Sequence, residues 1–352
     1  MPSTPLVTSL AVLCFAAGAV SMLGVARFTE RHNRRLARER LVTLIKWWRR
    51  YAEGEGDRRE IRRQASACDP ALFWSVLESL TSELGRSESR RLTQTLGRVG
   101  HVREERWVLR GDSPWRRELA ARRLSLIHAP EARRSLRRAL QQGPELVAFA
   151  AAMGLARQRD AWTLRWIFAH PYYFATRHSR ARTALLRAFG PGATSRLAEQ
   201  LDAGISDVKL ERAVIERLGA AGHLPSARVI ARRLENANLE LRVAAARALG
   251  RLQSQVHVDA LVGALRDERW EVRAQSAHAL GRIGSSDAVP SLAGSLTDAS
   301  WWVRHHSAYA LARLGIEGNA ALRAEAIISA DHAARDIARE ALDHAVELKR
   351  PA

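Results

Sequence analysis

The stretches VRAQSAHALGRI, Val272–Ile283, and VRHHSAYALARL, Val303–Leu314, decide the fold. In the first, Val272, Ser276, Ala279, Leu280 and Ile283 recur at i, i+4, i+7, i+8 and i+11, and Val303, Ser307, Ala310, Leu311 and Leu314 match them in the second. That spacing lines small and apolar side chains along one face of an α-helix. LRVAAARALGRL from Leu241 and LERAVIERLGAA from Leu210 extend the pattern upstream, ARDIAREALDHA from Ala334 extends it downstream, and successive starts lie 31 residues apart. A second apolar series, Leu234, Leu265, Leu296 and Ile327, keeps the same interval and marks a second helix. Each unit therefore reads as a helical hairpin. Its first helix is expected to end at Gly219, Gly250 or Gly281, because glycine terminates helices most cheaply.

One such hairpin cannot bury its own apolar face, so neighbours must stack, and Ala248, Ala279 and Ala310 allow close approach. The pattern persists upstream in weaker form: Ala181 with Phe189-Gly190, Glu145 with Met153-Gly154, Arg116 with Leu124, and Glu88 with Leu96-Gly97. The intervals there are 28, 29, 36 and 29, which gives about nine units over 88–347, with Ala65 to Leu84 as an N-terminal cap. The predicted class is all-α: a right-handed α-solenoid of about nine hairpins. Composition agrees, since 47% of residues are hydrophobic but only 6% are aromatic, which suits packed helices rather than strands. Two cysteines, Cys14 and Cys68, exclude a disulfide scaffold.

The N-terminus reads differently. Leu6 to Ala26 is a charge-free apolar run of 21 residues, long enough to span about 30 Å of hydrocarbon as a helix. Arg27, Arg31, Arg34, Arg35, Arg38 and Arg40 follow it and no basic residue precedes it, which predicts an uncleaved single-pass inner-membrane anchor with the solenoid in the cytoplasm. A basic amphipathic helix then runs from Glu30 to Ala52. Arg34, Arg35, Arg38, Lys46, Trp47, Trp48, Arg49 and Arg50 are its candidate contacts with an anionic lipid surface, and a solvated stalk is the alternative. The domain reading is 1–26 anchor, 27–64 juxtamembrane helix and linker, 65–200 irregular repeats with cap, and 201–352 regular repeats.

The units resemble short HEAT repeats, of the type found in phycobilisome-lyase-like proteins. The resemblance rests on Asp267 with Val272-Arg273 and Ala277-His278-Ala279-Leu280-Gly281, and on Asp298 with Val303-Arg304 and Ala308-Tyr309-Ala310-Leu311, where Ala312 replaces the glycine. It is good over 205–347 and fair over 88–200. It implies a HEAT-like solenoid and leaves function open, because such repeats serve scaffolds, lyases, DNA-repair enzymes and hydroxylases alike.

Arg242, Arg273, Arg304 and Arg335 share one helical position, and Asp207, Asp267 and Asp298 lie in the preceding loops. A phosphate-binding stripe is one reading. The resemblance implies the other, a structural ladder of Asp267, Asp298, Arg242, Arg273 and Arg304 that ties successive loops together. Trp270 and Trp301 read as aromatics typical of the fold. No metal, cofactor or catalytic residue is expected: no His is followed by Glu, as in the di-iron hydroxylases of this architecture, and His305 and His306 diverge by about 100° on a helix. No Gly-x-Ser-x-Gly or Walker-type loop occurs, so the chain is not expected to be an enzyme.

Two features remain for function. Residues 27–200 hold 36 basic and 18 acidic side chains, whereas 201–352 hold 20 and 19. And Trp162, Trp166, Phe168, Tyr172, Tyr173 and Phe174 crowd thirteen residues inside the one interval of 36, broken by Pro171; these are the candidate partner-binding residues, aromatics being the usual interface anchors. The sequence thus reads as a membrane-anchored interaction scaffold that recruits a membrane-associated protein partner. A nucleic-acid-binding solenoid is the alternative, and a lyase-type enzyme the third reading.

Overall fold

The computed structural model describes residues 41–174 and 179–347, and they fold into helices joined by short turns. They form two compact units, divided between Gly154 and Leu155.

The first unit opens with helix α1 (41–53), followed by α2 (Arg58–Ala67), α3 (Pro70–Glu83), α4 (Arg86–Leu96), α5 (Gly100–Val108), α6 (Pro114–Ser125), α7 (Pro130–Gln142) and the start of α8 (Glu145–Arg157). Local chemistry sets the starts. The Asp57 carboxylate accepts from the Arg59 and Glu60 N–H groups, and that of Asp69 from Ala71 and Leu72, while Pro70, Pro114 and Pro130 occupy first helical positions where no N–H is needed. The segment expected as a cap contains α3, whose Phe73, Leu77 and Leu80 are fully buried. Trp48 of α1 is fully buried with them, its ring 5.6 Å from Phe73 in an edge-on arrangement.

The second unit holds α9 (Ala161–Ala169), α10 (Ser179–Ala188), α11 (Thr194–Ala203), α12 (Val208–Ala220), α13 (Ala227–Ala231), α14 (Leu239–Leu252), α15 (Val258–Ala264), α16 (Trp270–Ile283), α17 (Val289–Gly294), α18 (Trp301–Arg313), α19 (Gly315–Ile328) and α20 (His332–Glu347). The first helices α10, α12, α14, α16, α18 and α20 pack side by side in chain order. Their shared stripe is the core: Val272, Ala279, Leu280, Val303 and Leu311 are fully buried, as are the hydroxyls of Ser276 and Ser307. Short 3-10 turns, Arg232–Glu235 and Ser295–Thr297, finish the second helices after α13 and α17.

Three expectations need correction. Gly219, Gly250 and Gly281 do not end their helices, which run on to Ala220, Leu252 and Ile283. They are contact points instead. A Cβ built on Gly250 would lie 2.8 Å from Ala279 Cα, and one on Gly281 2.7 Å from Ala310 Cα, closer than carbon atoms pack. The second-helix series also breaks at its last member: Leu234, Leu265 and Leu296 are buried but Ile327 is 80% exposed, with Leu322 and Ala326 taking the inward positions of α19.

The third correction concerns the transmembrane helix expected before the solenoid, and with it the single-pass inner-membrane placement. Among the described residues no helix is long and apolar enough to cross a membrane. The longest of them, α20, has 16 residues, short of the roughly 20 that a bilayer requires. The apolar run from Leu6 to Ala26 lies outside the described residues, as do Arg34, Arg35 and Arg38.

Candidate functional site

Arginines at the recurring position are consumed by the fold. Arg242 donates to both carboxylate oxygens of Asp267, at 2.8 and 3.0 Å, and to the carbonyls of Asn236 and Ala237 in its own loop. Arg273 repeats this with Asp298, at 2.7 and 2.8 Å, and with the carbonyls of Asp267 and Glu268. Asp267 and Asp298 also accept the N–H of Arg269 and Ser300, so each rung fixes the turn that leads into a helix while joining two loops. Burial tends to raise the Asp298 carboxyl, but the bonds from Arg273 and from the Ser300 N–H outweigh it and its pKa lies below the usual value. Arg304 reaches only carbonyls, those of Asp298 and Ala299, because Ser329 stands where the next Asp would be. One further rung, Arg182 to Asp207 at 2.5 Å, had its acid but not its arginine marked in the sequence pattern.

The six aromatics of the enlarged interval do not form one surface. Asp160 caps α9 through the Thr163 N–H and hydroxyl, which fixes Trp162 and Trp166 one turn apart. Trp166 stacks on His170, centroids 4.4 Å apart, with Trp162 6.5 Å away on its other side. Tyr173 meets the edge of Trp166 at 4.9 Å and that of Phe174 at 5.1 Å. Phe174 is buried, and its carbonyl accepts from Arg182. Trp162, Trp166, Phe168 and Tyr173 are half-buried, whereas Tyr172 is exposed and donates its hydroxyl to the Ser206 carbonyl.

Of the residues expected on a lipid surface, Trp48 is in the core and Arg49 pairs with Glu83. Trp47, Lys46 and Arg50 are exposed, and Arg50 pairs with Glu55 at 2.8 Å.

An aromatic shelf on α16, α18 and α20 was not singled out in the sequence. Trp301 and Trp302 are 47% and 50% exposed, their rings 4.8 Å apart. From them run two rows along α18. Trp301 stacks on His305 at 4.8 Å, His305 meets Tyr309 at 4.4 Å, and Tyr309 meets His344 of α20 at 5.2 Å. In the other row Trp302 faces His306 at 6.3 Å, and His306 meets His278 of α16 at 5.5 Å. Burial lowers the His306 pKa to about 4, with His278, His305 and Arg313 adding to the effect, and burial likewise lowers that of His278. Both are uncharged at neutral pH, so this part of the shelf is aromatic without being cationic. The signal was available: one repeat earlier, Glu271, Ala274, Gln275 and His278 stand where α18 has Trp302, His305, His306 and Tyr309.

Among the described residues, no group of three or more His, Cys, Asp or Glu could hold a metal ion. The geometry is that of stacked helical hairpins with an aromatic face. Residues 226–312 and 258–347 match the family described as HEAT repeats, which covers about a third of the chain. No curated protein matches the sequence. Among solved structures, the chain is similar to an engineered protein at 18% identity, with 87% of this chain and 99% of that one covered and a TM-score of 0.40. It is also similar to human deoxyhypusine hydroxylase in complex with glycerol at 16% identity, covering 90% and 99%, with a TM-score of 0.31. A third likeness, at 12% identity and a TM-score of 0.48, is to the Kap95p–RanGDP structure, covering 87% of this chain and 52% of that one.

Proposed function

We propose that this chain is a protein-interaction scaffold, and that the shelf of Trp301, Trp302, His305, His306 and Tyr309 docks an apolar segment of a partner protein. The observation that carries the reading is the exposure of two adjacent tryptophans on a rigid helix, continued by imidazoles of which His306 is held neutral. Large aromatics on a preorganised face are the usual anchors of protein interfaces, since they bury much area at little entropic cost. HEAT-type repeats commonly serve as interaction scaffolds, which agrees with this reading. Trp166, with His170 and Tyr173 against it, offers a second aromatic contact in the same unit.

The test places a photo-crosslinking amino acid at 302 and, as a control, at the exposed position 256 in the turn before α15. A partner identified by mass spectrometry from position 302 alone is then purified and its affinity measured directly. Trp301→Ala with Trp302→Ala is expected to weaken that affinity by tenfold or more, about 1.4 kcal/mol at least, with an unchanged melting temperature. Equal crosslinking from both positions, or undiminished affinity, overturns the proposal.

A further inference from the structure

In the first unit a cavity of about 410 Å³ is lined by Arg58, Arg62, Arg90, Arg98 and Arg133, with Gln94, His128 and a single acid, Glu131. Some arginines of that unit are paired with acids, Arg49 with Glu83, Arg63 with Glu60, Arg122 with Glu118 and Arg123 with Glu105, while others, such as Arg110 of the neighbouring groove, are not. Among the described residues the five arginines of the cavity form no ion pair, and Glu131 pairs outward with Arg134.

Several of these side chains are held in place. Arg62 donates Nε to the Thr95 carbonyl at 3.1 Å, and Arg58 donates Nε to the Thr95 hydroxyl at 3.4 Å, which leaves their terminal nitrogens uncommitted. Thr95 is itself bonded to the Tyr51 hydroxyl at 2.8 Å. Arg133 keeps a buried Nε–H that has no acceptor, although buried donors nearly always find one. At the edge, His128 Nδ1 lies 2.9 Å from the Thr93 hydroxyl, which donates to the Ser89 carbonyl at 2.8 Å; the imidazole therefore donates from Nδ1. Like charges so gathered repel one another, and a bound oxyanion would convert that repulsion into several charge-assisted hydrogen bonds.

We infer that this cavity binds a small anion carrying two or more linked phosphoryl groups. Five guanidiniums exceed what one phosphate can engage bidentately, and a half-open recess of about 410 Å³ has room for a short chain of phosphoryl groups. Among the described residues no Phe, Tyr or Trp lines it, and its one imidazole, His128, is tied to the Thr93 hydroxyl at the edge, so recognition rests on charge. The inference is independent of the aromatic shelf, which belongs to the other unit.

The experiment is calorimetric titration of the full chain with sodium tripolyphosphate at about 0.15 M salt. A single site is expected, with affinity at least tenfold above that for orthophosphate or sulfate and an upward shift of the His128 titration on saturation. Adenosine triphosphate, run in parallel, distinguishes a free polyphosphate from the phosphate end of a nucleotide. Arg90→Gln with Arg98→Gln, two exposed positions, should weaken binding by tenfold or more at unchanged helical content. Arg110→Gln with Arg138→Gln, in the neighbouring groove, should leave it unchanged. Absence of binding, equal affinity for sulfate (an adventitious ion only), or equal loss in both variant pairs overturns the proposal. So does tighter binding of duplex DNA that is abolished by the same Arg90 and Arg98 changes.

Discussion

Gly281 of α16 lies directly against Ala310 of α18: a Cβ on the glycine would fall 2.7 Å from both the Cα and the Cβ of the alanine. Gly250 with Ala279 and Gly219 with Ala248 repeat the contact one and two units earlier, each at 2.8 Å. The stack is set at these points by backbone meeting backbone.

Gly281→Ala should therefore destabilise the chain even though alanine favours a helix by up to about 1 kcal/mol. The obstruction is main chain, so no rotamer change relieves it, and the overpacking cost of about 1–3 kcal/mol exceeds the propensity gain. Thermal melting checks this. Gly294→Ala, where the added carbon meets nothing within 4 Å, should be neutral or stabilising.

Removing a rung tests the ladder. Arg273→Ala strands the Asp298 carboxylate and two loop carbonyls, and a loss of about 2–4 kcal/mol is expected in denaturant unfolding. Arg304→Ala, with no acid to strand, should cost less. The reverse order would mean that the carbonyl bonds, not the carboxylate pairs, hold the loops.

Tyr172 and Tyr173 should separate. Tyr173→Ala removes edge contacts to Trp166 and Phe174 and should lower the melting temperature, by about 1–3 kcal/mol of stability. Tyr172→Ala removes an exposed ring and one bond to the Ser206 carbonyl and should leave it within about 0.5 kcal/mol. Equal losses would place Tyr172 in the packing as well.

His306 makes stability depend on pH. Its folded pKa, about 4, lies below the ordinary histidine value, so the unfolded chain binds the proton more readily between the two. The contribution is complete above about pH 6.5 and is lost as pH falls toward 4, by about 1 kcal/mol once screening of a half-exposed ring is allowed for. His306→Gln should flatten that part of the stability profile. An unchanged slope would assign it to other groups.

The helical positions were legible because burial repeats with the period of the helix: Leu280 and Leu311 are fully buried as the spacing requires. The role of Gly281 was not, because a glycine that ends a helix and one that admits a neighbour look alike until the neighbour is placed. Trp48 was misleading for a related reason. Beside arginines it reads as amphipathic, and only Phe73, distant in sequence, shows where its ring goes. Within 162–174 the sequence marked an aromatic cluster but could not divide it into the buried Phe174 and the exposed Tyr172. The arginine cavity was hidden in a diffuse excess of charge, since helices far apart in sequence supply its lining.

The departures of α18 from α16 have a consequence for how such a chain can change. Val303, Ser307, Ala310 and Leu311, which face inward, keep the residue types of α16 one repeat earlier, while Trp302, His305, His306 and Tyr309 differ from its Glu271, Ala274, Gln275 and His278. The inward letters specify where a helix sits, and the outward letters are free to vary without moving it. A new specificity can therefore be written into one unit by a few substitutions, with adjoining units unaltered, and two copies of the same structural sentence can address different ligands.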